Sequence, residues 1–212
     1  MASDPSSIDG TDALRRLLEG NRRFVGGSRL DRDLAAEVAA GASGQAPFAA
    51  IVGCIDSRAA AELVFDVGVG DVFDIRLAGA IVDDAALGSL EYACGVAGAR
   101  LLLVLGHTGC GAVKAACDHA ASGGGELPLP HLHAVVEPIL EAVAAETETT
   151  GDRTSGNDPF VDRVAELNVH RTMLEIRDRS DVLDDLVERG EVTLVGAMYD
   201  VRSGVAHVVS GP

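Results

Sequence analysis

With 212 residues, 47% of them hydrophobic, the chain has the length of one domain and enough apolar side chains for its own core. Aromatics are 3% and tryptophan is absent, so that core must be built from Ala, Val, Leu and Ile. Lys and Arg number 17 against 33 Asp and Glu, a net charge of −16 that argues against nucleic acid and anionic membrane as partners, because affinity for phosphate comes from Lys and Arg.

Residues 1–10 are polar and acidic, with neither the basic nor the apolar stretch of a secretory leader, and are expected to be a disordered tail. With no apolar run of membrane-spanning length and four cysteines in an unexported-looking chain, the expected compartment is the cytoplasm. Residues 11–25 place Leu14, Leu17, Leu18 and Phe24 at helical spacing, and a shorter helical patch follows near 33–41. Together, 11–42 read as a helical arm that packs either on a neighbouring subunit or on its own domain. Beyond it, apolar runs at 47–53, 71–77, 100–106 and 192–198 read as strands. Helical stretches near 59–66, 86–98, 110–121, 131–146, 158–178 and 180–189 lie between or beside them.

Continuous apolar runs with helical crossovers predict an α/β fold with a central, mainly parallel sheet and flanking helices. The run 204–209 follows 192–198 after a short connection, which suits an antiparallel edge strand. Residues 122–130 and 147–158 are Gly/Pro-rich and acidic loops, and 11–212 is expected to form a single domain. The acidic bias fits either a GC-rich coding sequence or a salt-adapted surface.

Ligands of open α/β sheets bind beyond the carboxyl ends of the strands. Cys54 follows the run 47–53, His107 follows 100–106, and Cys110 stands at the start of the next helix. Two sulfurs and an imidazole suit zinc, and three protein ligands leave a fourth tetrahedral position for water, whose pKa the metal lowers toward roughly 7. Asp56 can accept a hydrogen bond from that water, with Arg58 forked onto its carboxylate, or can swing onto the metal as a fourth ligand. Alone, Cys-x-Asp-x-Arg and His-x-x-Cys are weak signals. Their placement at two strand ends is what gives them weight.

Gly53-Cys54-Ile55-Asp56-Ser57-Arg58 together with Gly106-His107-Thr108-Gly109-Cys110-Gly111-Ala112 resembles the signature pair of the β-class carbonic anhydrases. Residues 19–24, 70–76, 88–93 and 196–201 match that family's pattern as well, so the resemblance runs from about 11 to 209. It implies a parallel sheet with an antiparallel edge, an N-terminal arm reaching across a dimer, and reversible hydration of CO2 to bicarbonate and a proton. It implies zinc on Cys54, His107 and Cys110, with Asp56 and Arg58 as an orienting dyad. Gln45 matches a position that supplies an amide to the substrate, Phe73 and Tyr92 match aromatics lining a neighbouring subunit's pocket, and Ala78 and Gly111 match further pocket positions. The chain departs from the pattern at Arg76-Leu77-Ala78-Gly79-Ala80, where the family often carries asparagines at the second and fifth places, and at Ile55.

Other candidates read as structure. Cys94 and Cys117 share helical faces with apolar neighbours and are expected in the core. His119, His131 and His133 flank the Gly/Pro loop and read as exposed histidines, with a second metal site or proton shuttle at the pair His131 and His133 as the less favoured alternative; His170 and His207 have no evident partner. Besides CO2 hydration, a hydrolase of carbonyl sulfide or carbon disulfide and a catalytically silent zinc protein share these ligands. The second would need no Gln45, Asp56 or Arg58.

Overall fold

The computed structural model describes residues 8–211. Asp9 accepts the backbone N–H of Asp12 at 2.8 Å and so caps the first helix, α1 (Gly10–Val25). The rest of the expected tail, residues 1–7, lies outside the described residues. Then follow α2 (Leu34–Gly41), β1 (Ala49–Gly53), α3 (Ala61–Val64), β2 (Val72–Arg76), α4 (Asp84–Glu91) and β3 (Leu101–His107). The chain continues through α5 (Gly111–Ala121), α6 (His133–Ala145), α7 (Asp158–Arg179), α8 (Asp181–Glu188), β4 (Thr193–Tyr199) and β5 (Ala206–Ser210).

The strands form one sheet in the order β2-β1-β3-β4-β5. The first three pairings are parallel, and β5 returns antiparallel to β4. Both faces of the sheet centre are covered, which is why β1 and β3 read as unbroken apolar runs. Ala50, Val52, Leu102 and Val104 point into the core under α4–α8, whereas Ala49, Ile51, Leu101, Leu103 and Leu105 point toward α1 and α3. Central β3 is buried at all seven positions, while edge strand β2 is only half-buried at its five.

Two expected helices differ in form. The stretch 59–66 supplies only the single turn α3, because Asp66 leaves the helical conformation with φ of 47°. The stretch 86–98 begins as α4 and closes in a π-helical turn, Tyr92–Val96, where the N–H of Ala97 reaches the carbonyl of Tyr92 at 2.9 Å. The arm also divides. Ala13 and Leu17 of α1 are fully buried in the chain's own core, and a Cβ at Gly20 would stand 1.7 Å from the carbonyl oxygen of Phe65, so only glycine permits that approach. By contrast α2 buries no residue and exposes Leu34 and Val38.

Asp66 ties the arm down. Its carboxylate, 1% exposed, accepts from Arg23 Nε at 2.6 Å, from Leu30 N at 3.2 Å and from Arg29 Nε at 3.4 Å. Burial pulls its pKa up, but the Arg23 and Leu30 donors outweigh burial and hold it below the usual range. A carboxyl depressed in the folded state contributes stability above its unfolded pKa of about 3.9 and loses it as pH falls through the folded value. Asp66→Asn keeps the shape and the left-handed backbone preference but removes the charge that Arg23 and Arg29 face; both arginines keep solvent contact, so the expected cost is ~1–3 kcal/mol at pH 7. Urea midpoints at pH 7 and pH 3 test this: the variant should be much weaker at pH 7, and its deficit should narrow in acid.

Candidate metal centre

Parallel pairing of β1 with β3, in register Gly53 to Leu105, brings their carboxyl ends out side by side. Cys54 therefore emerges next to His107, the last residue of β3, and Cys110 stands immediately before α5. All three are buried, and the ligand atoms of Cys54, His107 and Cys110 lie within 4.8 Å of one another. The two sulfurs are 3.9 Å apart. Tetrahedral zinc with sulfur ligands at about 2.3 Å places two thiolates roughly 3.8 Å apart, so the pair has the spacing the ion needs.

The histidine is prepared in the same sense. Its Nδ1 lies 3.0 Å from the carbonyl of Thr108, which takes the ring proton there, and the buried Nε2 has no hydrogen-bond partner. An orphaned buried acceptor is costly, and a cation satisfies it. The sulfurs carry a matching conflict. The Cys110 thiol, donating to Cys54, pulls the Cys54 pKa well down against burial, with help from the N–H of Gly79; the resulting charge, with burial, pushes Cys110 up. A divalent cation lets both ionise. The residues fit zinc.

Asp56 stands beside them, its Oδ2 4.0 Å from His107 Nε2. Arg58 donates its Nε to Oδ1 at 2.9 Å, its Nη2 to Oδ2 at 2.7 Å, and its backbone N–H to Oδ1 at 2.9 Å. The guanidinium beside it holds the Asp56 carboxyl far below the usual carboxylate range, so it is ionised throughout neutral pH.

Several residues that place these groups are ones sequence reasoning passed over. Arg76 donates to the carbonyls of Cys54 and Asp56 and so shapes the loop that carries Cys54. The His107–Cys110 loop is clamped from both sides. Gly109, at φ of 63°, donates its N–H to Asp162 of α7 at 2.7 Å, and the Thr108 hydroxyl bridges Asp200 at 3.3 Å and the N–H of Val201 at 3.1 Å.

Of the other singled-out positions, Gly111 adjoins Cys110 and Ala78 adjoins Gly79, so both flank the metal group. Gln45 does not. It is exposed ahead of β1, and that five-residue strand puts roughly 13 Å between its entry and the Cys54 end. Phe73 and Tyr92 meet edge to face at 6.4 Å and line a surface concavity with Asp74, Ile75, Asp84 and Gly88, away from the ligands. Cys94 and Cys117 are buried as expected, their thiols pushed by burial up to about 12 and about 11. His131 and His133 are exposed.

Residues 49–206 match the family model described as carbonic anhydrase. Carbonic anhydrase 2 of Mycobacterium tuberculosis is 40% identical over 195 residues, covering 92% of this chain and 90% of that protein. A carbonic anhydrase of Mycolicibacterium smegmatis is 36% identical, covering 91% and 89%. Among solved structures, a β-carbonic anhydrase of Aspergillus fumigatus superposes with a TM-score of 0.67 at 28% identity, over 94% of this chain and 90% of that one. One of two tetrameric β-carbonic anhydrases of Sordaria macrospora gives 0.70 at 22% identity, over 95% and 99%, a likeness of fold.

Proposed function

The chain belongs to the β-class carbonic anhydrase family, and on that premise we propose that it hydrates carbon dioxide reversibly to bicarbonate and a proton. The observation that carries this reading is the ionised, forked Asp56 within 4.0 Å of a buried Cys-His-Cys group. Cys54, His107 and Cys110 would hold zinc, which supplies the Lewis acidity that makes water a nucleophile near neutral pH. Asp56, with Oδ2 4.0 Å from His107 Nε2, would accept a hydrogen bond from the attacking water and orient it toward the substrate. Arg58 holds the Asp56 carboxylate in one orientation and away from the metal; closing Asp56 onto the metal would require the fork to open. Gly111 and Ala78 stand on the pocket wall.

The active form is a homo-oligomer, a dimer or a multiple of dimers. Gln45, Phe73 and Tyr92 serve a pocket only if a second copy presents them, because each lies away from its own subunit's ligands. The uncovered face of α2 supports the same reading, as does the tetrameric assembly of the Sordaria relatives. We place the protein in the cytoplasm, in keeping with four free, buried cysteines; among the described residues no helix is long and apolar enough to cross a membrane.

Stopped-flow hydration of CO2 by zinc-loaded protein, with carbonyl sulfide turnover measured alongside, tests the activity. Fast CO2 turnover with little on carbonyl sulfide is expected; the reverse ratio would overturn the assignment. Sedimentation should show no monomer at micromolar concentration, and a fully active monomer would remove the role given to Gln45, Phe73 and Tyr92.

A further inference from the structure

The loop that follows β2 touches the metal group through one backbone N–H, and it holds an awkward conformation to do so. Residues 77–80 form a turn closed by the N–H of Ala80 on the carbonyl of Leu77 at 3.0 Å. Gly79 sits at φ of 82°, a conformation glycine adopts freely, but Ala80 sits at φ of 53°, where an L side chain with a Cβ is disfavoured. In that pose the N–H of Gly79 points at Cys54 Sγ, 3.3 Å away.

Two side chains of α7 hold the pose. Asn168 Nδ2 donates to the carbonyl of Gly79 at 2.8 Å, and the Thr172 hydroxyl donates to the carbonyl of Ala80 at 3.1 Å. They are one helical turn apart, so they meet consecutive carbonyls, and they are 2% and 0% exposed. Asn168 is a poor choice for packing alone, because its Oδ1 is buried without a hydrogen-bond partner. An apolar side chain would avoid that cost. What the amide adds is the bond to Gly79.

We propose that Asn168 and Thr172 are positioning residues for the metal centre: they latch the left-handed turn at Gly79–Ala80 so that the Gly79 N–H donates to Cys54 Sγ. Released from α7, Ala80 relaxes toward ordinary φ, the turn rotates, and the sulfur loses its donor. A thiolate without that donor is more electron-rich toward the metal and less well oriented, and loss of such an outer partner typically costs 10–100-fold in metal affinity. The proposal rests on Cys54 as a metal ligand, and the experiment separates the two claims.

Cobalt(II) is exchanged into the full-length protein, and the near-ultraviolet sulfur-to-cobalt charge-transfer band and the rate of metal loss to a chelator are recorded. If the unaltered protein shows no such band, the ligand reading itself fails. If it does, Asn168→Ala and Thr172→Val should shift the band to longer wavelength and speed metal loss about tenfold or more. Thr172→Ser, which keeps the hydroxyl, should restore both. Variants that fold, yet keep the band position and release rate of the parent, would overturn the latch. Should the variants not fold, the unaltered chain decides: with a magnetically active cadmium isotope at the site, the Gly79 amide proton should couple to the metal through the sulfur, and no coupling would likewise overturn it.

Discussion

Replacing Cys110 with serine is expected to take zinc from close to one ion per chain to a small fraction of that, and to lower CO2 hydration by on the order of 10³-fold or more. The metal's Lewis acidity is worth several kcal/mol in such a reaction, and about 4 kcal/mol corresponds to roughly that factor at about 1.36 kcal/mol per decade. Cys54→Ala should behave alike, because the two sulfurs, 3.9 Å apart, form one site. Cys94→Ser and Cys117→Ser are the informative controls. Both cysteines are buried in the core away from His107, so these variants should keep their zinc and lose only stability. Elemental analysis beside stopped-flow rates reads all four. Full zinc in both Cys54→Ala and Cys110→Ser would move the site elsewhere, with exposed His131 and His133 the first place to look.

The second large effect should come with zinc retained. Asp56→Asn preserves the shape of the side chain and part of its contact with Arg58 but removes the ionised acceptor. Hydration should fall about 10²–10³-fold, within the usual worth of a positioned proton acceptor. Arg58→Ala should cost a similar factor by a different route. Freed of its guanidinium, the Asp56 carboxyl returns toward its ordinary pKa of about 3.9, so it remains ionised at pH 7. The loss at neutral pH is then one of orientation, since three hydrogen bonds, one from the Arg58 backbone, now hold the carboxylate and only that backbone bond would survive. Arg58→Lys should recover little, because an ammonium cannot make the fork. The double variant should be no worse than about the poorer single one, as expected for residues acting as a unit. Zinc content near one ion per chain with unchanged rates would remove Asp56 from the reaction if seen in Asp56→Asn, and would remove the orienting role of Arg58 if seen in Arg58→Ala.

Much of this was legible in the residues themselves. Residues 47–53 and 101–106 are apolar at every step because β1 and β3 are covered on both faces, and that composition is a local property a reader of the chain can see. The grouping of Cys54, His107 and Cys110 was legible for the same reason: each adjoins the end of a strong strand or the start of a strong helix, and parallel strands put such ends on one edge. The short connection 200–205 settled that β5 returns antiparallel, since nothing longer is available for a crossover.

Other features required the folded chain. The π-helical closure at Tyr92–Val96 depends on how α4 must end to let the chain enter β3, and its residues are compatible with an ordinary helix. The arm's apolar face was open between two partners until α1 was found against Phe65 and the β3 leucines, with α2 left bare. The polar residues that support the site were invisible for a stricter reason. Asp162, Asn168 and Thr172 meet Gly109, Gly79 and Ala80 across 53, 89 and 92 residues of chain. Hydrophobic periodicity is written along a segment and can be read there, so the main strands and helices and the ends that carry Cys54, His107 and Cys110 are determined by sequence alone. A buried hydrogen bond between distant segments depends on angstrom-scale placement of both, which only the packed tertiary structure decides.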